Sequence, residues 1–224
     1  MKTSFTIVLT LFLANVFDLY SLRFRCFVGV YRGSSISYSN IISYKARLLY
    51  VISGMLFALR FEKLGPATMP YKEMLFVSVF SFGFCLLYEK FKFVDQALTW
   101  AIGPVGSKFI VAKVAFSSKE ANNDVSINWI LAVGSAFVYF LISASTAVPV
   151  IISRYIPSYQ ISAVYIGNII NFIATSISLT LIEPLSMKMA DERTGGQSLG
   201  SFYVGRRMSY IFSSIVWLLA FYFG

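Results

Sequence analysis

Long apolar stretches, each interrupted by a few polar positions and separated by short basic connections, recur along this chain. A window of about 20 residues, the length a helix needs to cross some 30 Å of hydrocarbon, falls on 3–20, 37–59, 73–88, 127–153, 160–182 and 208–223. None of these stretches alternates strictly between apolar and polar as an outer-membrane barrel strand does. Helices, which satisfy their own backbone groups within lipid, are therefore the predicted elements. The expected fold is all-α, a polytopic bundle of about six transmembrane helices forming one membrane domain over 1–224. The third stretch is short. The segment after it, Phe91-Lys92-Phe93-Val94 and Ala97-Leu98-Thr99-Trp100, has the pattern of an amphipathic helix lying in the interface. The loop 89–125 that contains it is too short and too apolar for a soluble catalytic domain.

Composition agrees with that reading. Of the 224 residues 57% are hydrophobic and 13% charged, outside the range of soluble domains. The start, Met1-Lys2 followed by Phe5 to Leu13, resembles a secretory signal. Asn15 and Asp18 stand where small residues would mark cleavage, so a first transmembrane helix is predicted instead. Tyr20, Tyr31, Tyr155 and Tyr159 fall near predicted interfaces, as in an aromatic belt.

The 19 cations distribute unevenly between the predicted loops. Five lie on the side of the two termini and twelve on the opposite side, so the positive-inside rule predicts both termini outside. Two more, Lys45 and Arg47, fall inside the second span. A cation at the bilayer centre costs about 2.5–3.5 kcal/mol on insertion scales, so both ask for an anion.

Several chemistries are excluded. Histidine is absent, no Walker-type phosphate loop is present, and Cys26 and Cys85 are too far apart in sequence to suggest a metal cluster. No cofactor, metal, catalytic residue or nucleic-acid partner is expected, and the chain is predicted not to be an enzyme. The partners expected are membrane lipids and a lipid-borne substrate. Six spans are few for a complete transporter, which leaves open a homodimer with the path between or within protomers.

Lys45 and Arg47 are about 200° apart around a helix. Arg47 is the deeper, and its planar fork suits a phosphate or carboxylate, whereas Lys45 has the reach to snorkel to the interface. Asn40 lies two turns before Arg47 on the same face. Asp18 and Glu183 are candidate counter-charges, and a purely structural pair between Arg47 and either acid is the alternative. Glu183 precedes Pro184 and is expected to mark a helix end. Asn168, Asn171 and Thr175 form a polar stripe on the fifth span, suited either to interhelical hydrogen bonds or to a polar path. Glycines 54, 83, 134 and 167 within spans are expected at close helix contacts.

Tyr20-Ser21-Leu22-Arg23, Gly29-Val30, Asn40 and Arg47, in that order, resemble the early membrane region of the Amj-type lipid II flippases. Tyr155 and Pro157, Asn171, Thr175, Glu183-Pro184, Ser186 and Asp191 resemble a later segment of that family, and Gly205-Arg206 is similar to the Gly-Arg that opens its last helix. The likeness covers roughly 5–55 and 145–224, and the acid before Pro184 is Glu where the family has Asp. It implies a flippase moving the undecaprenyl-pyrophosphate-linked peptidoglycan precursor across the bacterial cytoplasmic membrane without nucleotide hydrolysis. Arg47, with Arg23 and Lys45, would then bind pyrophosphate. Asn40, Asn168, Asn171 and Thr175 would line the path, with Asp18, Glu183 and Asp191 as counter-charges or gates.

Overall fold

The computed structural model describes residues 2–26, 34–64, 71–91, 93–94, 97–98, 127–191 and 195–223. All regular structure among them is helical: α1 (Lys2–Cys26), α2 (Ser34–Leu64), α3 (Tyr71–Lys90), α4 (Trp129–Tyr155), α5 (Gln160–Ile177), α6 (Glu183–Asp191) and α7 (Gly195–Phe223). The chain is a helical-bundle membrane protein. Among the described residues, four stretches are long and apolar enough to cross a bilayer: Phe5–Leu22, Tyr71–Lys90, Trp129–Pro149 and Tyr165–Ser186. Helices α2 and α7 are longer than any of these but carry Lys45 and Arg47, and Arg206 and Arg207, within their length.

Helix α7 is the centre of the bundle, packed against α3, α4, α1 and α6, while α2 rests on α1 and α5 on α4. Two contacts without side-chain bulk set these crossings. A Cβ on Gly205 would run into Ser135 Oγ and lie 2.5 Å from the Ala132 carbonyl, so α7 meets α4 nearly backbone to backbone. A Cβ on Gly167 would lie 2.5 Å from both the Ser145 carbonyl and Pro149 Cγ, which seats α5 on α4 in the same way. Gly134 is also close-packed, under Ile182, whereas Gly54 and Gly83 face open space.

The core divides into two apolar clusters. One gathers Ile7, Leu11, Met74, Val77 and Trp217, and so brings the start of α1 and the end of α7 to the same end of the bundle. The other gathers Leu19, Tyr20, Ile42, Cys85, Leu131, Ile182 and Phe202. Polar side chains fill the level between them.

The last helix and the Glu183-Pro184 step depart from the sequence expectation. The last helix begins at Gly195 rather than near 208, which draws Arg206 out of the expected loop and into the bundle. Glu183-Pro184 does not end a helix. Residues 178–182 form a wider π turn in which the Glu183 N–H donates to the Ser178 carbonyl five residues back, and the chain continues helically through α6. The π turn shifts the register just where proline removes a donor. In the segment after α3, Phe91 and Phe93 are exposed while Val94 and Leu98 pack on the core; positions 92, 95–96 and 99–126, which hold the rest of the expected amphipathic pattern, lie outside the described residues.

Candidate functional site

The polar level begins on α1, where Asn15 and Asp18 are three residues apart and share a face. Tyr50 on α2 donates to Asn15 Oδ1 at 2.5 Å, and Asn15 Nδ2 donates to Ser81 on α3 at 2.8 Å. One asparagine thus links three helices through both ends of its amide. Neither end is left unmet.

One turn on, Asp18 forms an ion pair with Arg206 of α7. The Arg206 residue is 2% exposed, and its guanidinium carbon lies 3.0 Å from the centroid of the Tyr139 ring on α4. A carboxylate on one edge and an aromatic face beneath offset the loss of water around a buried cation. The close approach of α7 to α4 at Gly205 is what brings the next residue to Tyr139. Arg207, 100° further round the helix, turns instead to Glu89 of α3 at 3.3 Å.

Beside the guanidinium lies a cavity of about 50 Å³, walled on the apolar side by Leu11, Val77 and Ile142. Its polar wall includes Arg206, Ser209, Tyr210 and Ser213 from successive turns of α7, with Tyr139 opposite. The Tyr210 hydroxyl lies near the guanidinium without the geometry of a hydrogen bond, and it, Arg206 Nε and Ser213 Oγ have no partner among the described residues.

Of the sequence-predicted residues whose side chains are described, Asp18 alone reaches this site, through its pair with Arg206. Lys45 and Arg47 are exposed on the side of α2 turned away from α1, among Ile41, Tyr44, Leu48 and Val51, and Arg47 lies 5.8 Å from the Tyr44 ring. Asp18 is paired with Arg206 rather than Arg47. Asn168 and Asn171 are exposed on α5, and Thr175 donates to the Asn171 carbonyl at 2.9 Å. Glu183 is half-buried at the start of α6. Arg23, Asn40 and Asp191 lie on α1, α2 and α6, with their side chains outside the described residues.

What sequence reasoning missed is the set on α7. Arg206, Ser209 and Ser213 recur at i, i+3 and i+7, one face of a helix, and Asn15 and Asp18 mark a matching face on α1. That periodicity was the available signal. Among the described residues no group of acidic, cysteine or histidine side chains has metal-binding geometry. Comparison with protein-family models, with curated proteins and with solved structures finds no match.

Proposed function

We propose that this protein is a flippase for an anionic, polyprenyl-pyrophosphate-linked precursor of the lipid II type, carrying it from the inner to the outer leaflet of the bacterial cytoplasmic membrane. The observation that carries the reading is Arg206, a guanidinium held in the bundle interior beside a polar cavity and balanced, among the described residues, by the Asp18 carboxylate. Phosphate presents the same sign of charge and paired oxygens as that carboxylate does, so it is a natural competitor for the fork. Lys45 and Arg47 are exposed on the flank of α2, where they would collect anionic headgroups while the polyprenyl tail stays in lipid. The substrate class comes from the residue resemblance described above, and another lipid-linked glycan or anionic lipid would meet the same cations. No step needs a nucleotide: two conformations would alternate access to the headgroup, with membrane potential or an ion gradient biasing the cycle.

A second reading has its own observation. The Asp18–Arg206 pair is already closed, which suits a membrane scaffold whose polar residues fasten helices together. Cells depleted of their other precursor flippases separate the two. A flippase restores surface exposure of lipid II, and the folded double variant Asp18→Asn/Arg206→Met does not. Wild-type chain that inserts well but restores nothing overturns the transport reading.

A further inference from the structure

Three buried groups face the cavity beside Arg206 with no partner among the described residues: Arg206 Nε, the Tyr210 hydroxyl and Ser213 Oγ. Burying such groups unpaired is costly, so the space between them is suited to something that accepts. The guanidinium has no acceptor lone pair at all, which fixes the polarity of whatever sits against Nε. None of the lining residues is acidic, and Asp18 engages Nη2 from outside the lining, so the charged group that lines the cavity is the guanidinium alone. Size narrows the ligand further. One water needs about 10–15 Å³ of such space, and the cavity offers about 50 Å³. That is room for one compact group and too little for a sugar.

We infer that this cavity is a binding site for a single compact anion, a halide or one phosphoryl group, held by Arg206 Nε, the Tyr210 hydroxyl and the Ser213 hydroxyl. The phosphoryl group has two sources, free phosphate and the headgroup of a lipid. The site does not depend on the transport reading. A scaffold that binds an anion here passes the test below, and a flippase that carries its load along α2 alone fails it.

The test is thermal unfolding of the full chain in nanodiscs of zwitterionic lipid, titrated at constant ionic strength by replacing gluconate with bromide or phosphate, or by adding a short-chain phosphatidic acid. Saturable stabilisation is expected, with an apparent affinity weakened about tenfold in Tyr210→Phe or Ser213→Ala, as for the loss of one hydrogen bond to a charged group. Both variants only remove a hydroxyl without a protein partner, so without added anion each should unfold within a degree or two of wild type, keeping the comparison free of misfolding. Stabilisation by bromide and phosphate identifies a free anion as ligand, and stabilisation by the short-chain lipid alone identifies a headgroup. The inference is overturned if no anion stabilises saturably, or if the two variants titrate as wild type does.

Discussion

Asp18 and Arg206 hold each other in place, and the cost of separating them falls on the partner left behind. In Asp18→Asn the guanidinium stays buried over Tyr139 with no counter-charge. Breaking a buried pair from one side costs about 3–5 kcal/mol. The lower end is expected here, because the Asp18 side chain retains 18% of its exposure and so some contact with its surroundings. Replacing both, in Asp18→Asn/Arg206→Met, removes the stranded charge and should recover most of that loss. Chemical unfolding of the two variants measures it, and equal destabilisation would show that the pair is not the unit of stability. At this scale the sequence was only partly legible. An acid on the first span needing a cation was readable, and so was a cation within the second. Which cation met which acid was not, because hydropathy puts Arg47 inside a span and Arg206 in a loop, and only the packing of α7 against α1 and α4 turns Arg206 inward.

Among the elements, a helix falls on each of the six expected stretches, and four stretches among the described residues are long and apolar enough to cross a bilayer, a length that bilayer thickness sets and composition reveals. Boundaries were harder where a helix continues past its apolar window. Helix α7 begins 13 residues before the expected start, at Gly195 rather than 208, because an ion pair inside the bundle lets an arginine lie where hydropathy places an interface. The glycines split for a similar reason. Sequence cannot say which face of a helix meets a neighbour, so Gly54 and Gly83 were indistinguishable from Gly134 and Gly167. The contacts now separate them. Gly205→Ala drives a methyl into the Ala132 carbonyl and Ser135, and overpacking of this kind should cost about 1–3 kcal/mol. Gly54→Ala meets nothing within 4 Å, and its better helix propensity should be neutral to stabilising by up to about 1 kcal/mol. A shift in melting temperature of opposite sign for the two would establish the α4–α7 crossing. A Gly205→Ala protein as stable as wild type would refute it.

At the scale of the whole molecule, two apolar clusters enclose a polar level, and α2 carries Lys45 and Arg47 on the outside of that assembly rather than within it. The two sets of charge should therefore respond differently to substitution. Removing Arg206 or Asp18 strikes the packed interior, whereas Lys45→Gln/Arg47→Gln alters an exposed flank and should leave stability within about 0.5 kcal/mol. Its effect belongs to the lipid instead. A basic residue near an anionic surface contributes about 1 kcal/mol, so losing two should weaken capture of an anionic headgroup by roughly tenfold or more. The measurement is half-saturation by a labelled polyprenyl pyrophosphate in liposomes, repeated at raised salt. The wild-type affinity should fall as salt screens the exposed pair, and the double variant should be weak and nearly insensitive to salt. If the variant binds as tightly as wild type, the α2 flank is not where the headgroup is gathered. If it instead unfolds, these cations serve an unrecognised helix contact, and the division between a structural interior pair and a recruiting outer pair fails.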